Sequence, residues 1–312
     1  FLLYVYHRDL HLSIRSHRQM CIIDSITIHD EMCTYILGQQ TNLCTLDVTV
    51  HIHDLQTYAS IIHSGSIGVA EAYMRGEWTC SNLTYLVRIF VVNQKVLDNM
   101  EKGIARFGVA IHEILHKFLN KNTKQGSKKN ISTHYDLGNQ FFKLFLDQTL
   151  MYSSAIFKNA DESLEKASEN KMDRICRKLE LRPQDHLLEI GTGWGGFAIH
   201  AARNYGCQVT TTTISEEQFQ LARKRVEESG LQDRVEVLKE DYRNLNGQYD
   251  KLVSIEMIEA VGHHFLQSYF QKCSALLKKD GMLLLQAITI DDRRYHQASK
   301  TVDFIQRYIF PG

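Results

Sequence analysis

His186-Leu-Leu-Glu-Ile190-Gly-Thr-Gly-Trp-Gly-Gly196 reads as a short apolar strand running into a glycine turn and then into a helix over Gly196 to Asn204. A near-continuous apolar run marks a strand buried on both faces, and glycines at its end let the backbone turn tightly and approach a ligand. Outward from this stretch, strands and helices alternate. Gln208 to Ile214, with four consecutive Thr, is a second strand, and Ser215 caps a helix over Glu216 to Ser229, with Gln218 placed as in a capping box. Val235 to Leu238 and Lys251 to Ile255 are the third and fourth strands. A helix over Phe265 to Leu277 stops at Lys278-Lys-Asp-Gly281, and Met282 to Ile290 is the fifth strand. This alternation predicts a doubly wound, Rossmann-like α/β domain around a parallel sheet.

The glycine turn sits where open α/β sheets bind ligands, and its spacing narrows the choice. A dinucleotide fingerprint has Gly-x-Gly-x-x-Gly and an acidic residue about 20 positions on, whereas this loop is Gly-x-Gly-x-Gly-Gly and the second strand ends in Thr213 with no carboxylate before Glu216. The Gly-Lys-Ser/Thr of a phosphate-binding P-loop is absent. Glu189, two residues before the first glycine, puts a carboxylate beside a bound cation or amine. That suits the amino-acid part of S-adenosylmethionine better than a pyrophosphate.

The 312 residues carry 36 Lys plus Arg and 36 Asp plus Glu, which argues against nucleic-acid binding driven by bulk positive charge. With 44 % hydrophobic and 23 % charged residues the composition is that of a globular protein, and no apolar run approaches the roughly 20 residues of a spanning helix. Seven scattered Cys without a Cys-x-x-Cys pair point to a reducing compartment and no zinc site. His7, His11, His17, His263 and His264 form no ligand-spaced set, so no metal site is expected. Neither end reads as a natural terminus: Phe1 follows no initiator Met, and Pro311-Gly312 is a turn signal with nothing beyond it, so a fragment is expected. A polar, basic stretch at 121–130 reads as a linker between a domain over 1–120 and one over 131–312; its Lys residues fit either solvent or an anionic lipid surface. The first domain reads as small and mixed α/β, with a strand over Leu46 to His53 and helical spacing over Ile67 to Tyr73, Asn82 to Val92 and Lys102 to Phe118.

Four segments resemble the cyclopropane-fatty-acyl-phospholipid synthase family and its relatives, the mycolic-acid cyclopropane synthases. They are His134-Tyr-Asp-Leu-Gly-Asn-Gln-Phe-Phe142 with Leu146 to Phe157, Leu188 to Gly196, Ser254 to Gly262, and Tyr308-Ile-Phe-Pro-Gly312. The resemblance implies methyl transfer from S-adenosylmethionine to the double bond of an unsaturated phospholipid acyl chain, with proton loss closing a cyclopropane ring and bicarbonate taking the proton. It implies a cytoplasmic protein peripheral to the membrane, with unsaturated phospholipids as partners and a homodimer as a candidate assembly. Carried over, Tyr152 and Ser153 contact the cofactor, Glu189, Gly191, Gly193 and Gly195 cradle its methionine part, Thr213 and Gln218 take the ribose, and Asp241 and Tyr242 flank the adenine. For Asp241 an exposed loop position is the competing reading.

Glu259 matches the family's catalytic Glu. Ser154 stands where the family has Cys, Gln286 where it has the His ending the fifth strand, and Ala260 where a His often follows the Glu. Ser154 and Gln286 can hydrogen-bond an anion, but neither serves as an acid or base near neutral pH. Ring closure and methyl addition therefore both remain open, as do methylation of a small molecule and a non-catalytic lipid-binding role. Glu256 would share a helical face with Glu259 if the fourth strand has ended. Phe141, Phe142, Phe145 and Phe157 fit either an acyl-chain wall or core, and Trp194 a cavity wall. Family members continue past Gly312 with further strands, so the sheet is expected to lack an edge hairpin.

Overall fold

A computed structural model describes residues 24–38, 45–93, 138–298 and 302–309. The linker at 121–130, the helix expected over 102–118 and the His134 end of the first motif lie outside the described residues. The chain divides into two units, Phe1–Leu119 with Ala298–Arg307 and Asn120–Gln297 with Tyr308–Gly312. Among the described residues no helix is long and apolar enough to cross a membrane.

In the first unit, β1 (Ser25–His29) lies between β2 (Thr34–Leu37), antiparallel to it, and β3 (Asp47–Ile52), parallel to it. The alternation read over 46–53 is β3, whose Val48, Val50 and Ile52 are buried. Helix α1 (Gln56–Met74) starts well before the stretch expected at 67–73 and is broken at Gly65, where φ is +53°. Strand β4 (Trp78–Cys80) completes the sheet against β3. Helix α2 (Leu83–Val92) starts under Asn82, whose side-chain oxygen accepts from the Tyr85 N–H at 3.0 Å. Ile26, Tyr58, Trp78, Leu86 and Ile89 close the core over β3. Strands β1, β2 and β4 are three to five residues long, too short to show a period.

The second unit carries α3 (Asn139–Lys143), α4 (Leu164–Lys178), β5 (His186–Ile190), α5 (Gly196–Tyr205), β6 (Gln208–Thr213), α6 (Glu216–Glu228), β7 (Val235–Lys239), β8 (Tyr249–Ile255), α7 (Leu266–Leu276) and β9 (Leu277–Gln286). Strands β5 to β9 form a parallel sheet in the order β7-β6-β5-β8-β9. This is the doubly wound α/β fold expected. The chain leaves β5 toward β6 and β7 and returns to β8 on the other side of β5, so the loops after β5 and β8 diverge and open a crevice at the carboxyl ends of the strands. Leu187, Val209 and Val253 pack on one face with Phe197, Ala201 and Ile175, while Leu188, Ile190 and Leu252 pack on the other with Tyr269, Cys273 and Leu276.

Two local expectations are corrected. The fifth strand runs from Leu277, directly after α7, to Gln286, not from Met282 to Ile290. Its first residues pair with β8 at Tyr249, a register irregularity follows, and regular pairing resumes from Lys251↔Met282 to Ile255↔Gln286. Lys278, read as part of a helix stop, donates to Asp250 Oδ1 at 2.7 Å instead. The capping box is half made: Ser215 Oγ accepts from the Gln218 N–H, but the Gln218 side chain turns to Thr213 and leaves the Ser215 N–H to Thr213 Oγ1. Among the described residues β9 and β7 are the two edges of this sheet.

Candidate active site

The loop after β5 holds Gly191, Gly193 and Gly195 at φ of +101°, +52° and +81°. Gly191 and Gly193 line the crevice. A Cβ on Gly193 would meet no protein atom within 4 Å, so its requirement is the left-handed backbone and the open space in front of it. Gly195, expected with them, does not line the crevice: it caps α5 and faces Ala222, whose Cβ would lie 3.3 Å from an added one.

Glu189 also lines the crevice, and the fold has buried it to 2 % exposure in the middle of the sheet. Burial pushes its carboxyl up to about 8, against the pull of the Thr211 hydroxyl, which donates to Oε2 at 2.6 Å. Among the described residues no cation joins Thr211 in this lowering, so the group is protonated at neutral pH and would be completed by a ligand that brings a positive charge. Threonines explain how a central strand tolerates such polarity. Each is β-branched and sheet-compatible, and each hydroxyl finds a partner: Thr210 faces His186 at 2.8 Å, Thr211 serves Glu189, Thr212 donates to the Glu240 carbonyl, and Thr213 donates to Gln218 Oε1 at 2.8 Å. The last pair is buried, lines the crevice and leaves the Gln218 amide nitrogen as a double donor.

Asp241 and Tyr242 line the same crevice after β7. Asp241 is not a free loop carboxylate. Its Oδ1 accepts from Arg243 Nε at 2.8 Å and its Oδ2 from Arg243 Nη2 at 2.6 Å, a two-pronged ion pair that fixes the turn. Tyr242 packs edge-on against Tyr269 with ring centres 5.4 Å apart.

The opposite wall comes from the segment before α4. Phe142 is buried against Trp194 with ring centres 4.8 Å apart, and Asn139 Oδ1 accepts from Trp194 Nε1 at 2.6 Å. Arg225, on α6, donates to the carbonyls of Gln148, Thr149 and Trp194 at 2.9, 3.0 and 2.6 Å. These contacts strap the chain over the glycine loop and bring Tyr152 and Ser153 to the crevice. The two readings of the phenylalanines separate here: Phe142 is core, whereas Phe141, Phe145 and Phe157 are 44 to 52 % exposed. Trp194 is a wall, as read.

The three residues expected to do chemistry do not all meet. Ser154 and Gln286 do, with Gln286 Nε2 at 3.2 Å from Ser154 Oγ, but they meet around Glu256. Glu256 Oε1 accepts from the Ser154 N–H at 2.9 Å and from Gln286 Nε2 at 2.7 Å. Glu256 lines the crevice and has φ of +46°, so it does not share a helical face with Glu259. Glu259 does not line the crevice; Oε1 accepts from the Ile288 N–H at 2.5 Å, and Oε2 is buried with no hydrogen-bond partner among the described residues. Lys171, on α4, was not foreseen. It is 1 % exposed and donates to Ser153 Oγ at 2.5 Å. Its sequence signal is a Lys on the buried stripe of α4, in step with Ala167 and Ile175. The signal for Glu256 is its place directly after β8, at the strand end where the sheet opens.

Among the described residues no cluster of three or more His, Cys, Asp or Glu could hold a metal, and the His263 ring lies 2.7 Å from the Tyr295 hydroxyl.

Comparison with known proteins gives a consistent picture. The chain is 38 % identical over 255 residues to the tuberculostearic acid methyltransferase of Mycobacterium tuberculosis, covering 80 % of this chain and 59 % of that one. It is 36 % identical over 272 residues to the cyclopropane-fatty-acyl-phospholipid synthase of Escherichia coli K12, covering 84 % and 65 %. The chain thus spans less than two thirds of the length of these relatives. Among solved structures it resembles the cyclopropane synthase MmaA2 of Mycobacterium tuberculosis and a mycolic acid cyclopropane synthase complexed with S-adenosylhomocysteine and a cetyltrimethylammonium detergent. Each match is 33 % identical at a TM-score of 0.54 and covers 59 % of this chain and 68 % of the other. The description of the mycolic acid cyclopropane synthetase family matches residues 122–312, more than half of the sequence, and the chain belongs to that family.

Proposed function

We propose that this protein transfers a methyl group from S-adenosylmethionine to the double bond of an unsaturated phospholipid acyl chain, ring closure to a cyclopropane being the outcome tested first. The observation that carries the cofactor reading is Glu189: a buried carboxyl at a glycine loop, held near pKa 8 for want of a cation, is completed by the ammonium of an amino-acid ligand. The relative with bound S-adenosylhomocysteine supports the same ligand class. Gly191 and Gly193 leave room for the methionine part, Thr213 and Gln218 offer hydroxyl and amide groups to a ribose, and Tyr242 offers an aromatic ring to a base. Bound there, S-adenosylmethionine supplies an electrophilic methyl.

An alkene is a weak nucleophile, so this chain's part is to align it and keep water out. The strap carrying Phe142 and Tyr152 walls the crevice on that side. The cation that alkylation leaves on the acyl chain must lose a proton, and Glu256 brings a carboxylate to the crevice to take it. Bicarbonate does not fit this corner. Glu256 already holds the Gln286 amide and the backbone N–H of Ser154, and a further negative charge beside its carboxylate would be repelled. No step is assigned to it. The same crowding favours a second reading, methyl branching, in keeping with the name of the 38 % identical relative.

Residues 1–120 are read as a lipid-associated domain and the protein as cytoplasmic and peripheral to the membrane. That reading is supported by the exposed Leu83, Val87, Val91 and Val92 on α2. The test is mass spectrometry and proton NMR of unsaturated phospholipid vesicles after incubation with trideuteromethyl S-adenosylmethionine. Two retained deuteriums with upfield ring signals mean a cyclopropane; three deuteriums on the acyl chain, or two on a new terminal alkene there, mean the branching chemistry; label confined to the headgroup, or unlabelled lipid, refutes the acyl acceptor.

A further inference from the structure

Behind the crevice wall, Lys171 is buried to 1 % exposure in the second unit. Burying an ammonium is costly unless something holds it, and its hydrogen bond among the described contacts goes to a neutral hydroxyl, Ser153 Oγ, at 2.5 Å. An ammonium has three donors and no lone pair, so in this bond Ser153 can only accept. Its single hydroxyl proton is then free to point elsewhere, and Ser153 lines the crevice. The crevice therefore offers, on the strap side, a hydroxyl donor backed by a positive charge, and on the sheet side, a carboxyl at Glu189. That polarity matches the two ends of an α-amino acid.

We infer that Lys171 is a positioning residue for the α-carboxylate of the cofactor, acting through Ser153: it fixes the hydroxyl as a donor toward the crevice and adds positive potential behind it, while Glu189 takes the α-ammonium. The inference rests on the cofactor reading above and assigns one end of that ligand to each wall. Burial lowers the Lys171 pKa to about 8, opposed by the charges of Glu256 and Asp147, so the ammonium persists at neutral pH. A Lys retained only for packing would make no distinction between ligands with and without a carboxylate.

That distinction is the test. The full chain is titrated calorimetrically at pH 7 with S-adenosylhomocysteine and with its decarboxylated analogue, in which a hydrogen replaces the α-carboxylate. Lys171→Met is expected to weaken S-adenosylhomocysteine about 30-fold, the range of a hydrogen bond to a charged group, and to change the analogue by less than about twofold. Ser153→Ala is expected to show the same selective loss, and the double variant no more than either single one. Equal losses for both ligands, independent additive losses, or unchanged binding would each overturn the inference. If Lys171→Met gives no cooperative melt, Ser153→Ala leaves the lysine in place and decides alone by its selectivity. A wild-type protein that binds neither ligand would refute the cofactor reading itself, an outcome separate from wild-type binding with an indifferent Lys171.

Discussion

Titrating Glu189 should govern how tightly the crevice holds an amino-acid ligand, and the structure sets the size of the effect. The group is 2 % exposed and its carboxyl sits at about 8 instead of 4.5. Below pH 8 the free protein therefore carries a proton there that must leave before an ammonium can pair with the carboxylate. About 1 % of the groups are ionised at pH 6 and half at pH 8, so affinity for S-adenosylhomocysteine should rise about 50-fold across that interval. About one proton should be released per ligand bound near pH 6.5, readable from calorimetry in buffers of different ionisation enthalpy. The Lys171 ammonium, whose pKa is also about 8, is half discharged at pH 8, which takes back about half of that gain and reverses it at higher pH. Stability carries the opposite sign. Between pH 4.5 and 8 the folded protein holds a proton that the unfolded chain has lost, so Glu189 makes stability fall as pH rises through that window, by about 1.4 kcal/mol per unit at most. The variant Glu189→Gln should remove the fall in stability, abolish proton release and bind S-adenosylhomocysteine at pH 8 at least about tenfold more weakly. A flat affinity profile in the wild type, or a Gln variant that matches it at pH 8, would refute the assignment of Glu189 to the ligand's ammonium.

Three further outcomes are expected. Glu256→Gln keeps the volume but removes the carboxylate, so single-turnover methyl transfer should drop about 100-fold or more while S-adenosylhomocysteine affinity stays within about threefold; a larger loss in Glu259→Gln would move the proton acceptor to that residue. Gly193→Val would put a β-branched side chain at φ of +52° and into the space before the loop, so fluorimetry should find no thermal stabilisation by S-adenosylhomocysteine; ligand protection equal to wild type would make the loop structural. Leu252→Ala empties a fully buried site in the centre of the sheet and should cost about 2 to 5 kcal/mol, read as a drop of roughly 10 °C in Tm; a shift under about 2 °C would contradict the packing described.

The sheet was legible because its central strands β5, β6 and β8 are buried on both faces and so write their own apolar or β-branched runs, and because Gly191 to Gly196 mark a loop that must turn at close quarters. Where burial is one-sided or brief the signal fades. Strands β1, β2 and β4 of the first unit carry too few residues for a period, and the start of β9 is written in Lys278, Lys279 and Asp280, exposed residues that propensity assigns to a helix end. Tertiary pairing with β8 overrides that local preference.

The reactive corner was less legible for a different reason: which groups meet there depends on segments far apart in sequence. Glu256 and Glu259 look equivalent as text, two carboxylates three residues apart after one strand. They separate because Glu256 takes a left-handed φ at the strand end, donates its own N–H to the Gln286 carbonyl, and turns its carboxylate to the N–H of Ser154, 102 residues earlier. Glu259, one turn on, is drawn instead to the backbone of Ile288. The strap that brings Ser154 there is itself held by Arg225 and Asn139 from sites that carry no chemistry. Replacing a Cys or His of the family pattern by Ser154 and Gln286 therefore does not simply weaken an ion pocket. With Glu256 present, the Gln286 amide and the backbone N–H of residue 154, which a Cys would supply equally, are turned to a carboxylate of the chain itself, so of the two replacements it is Gln286 that changes the corner.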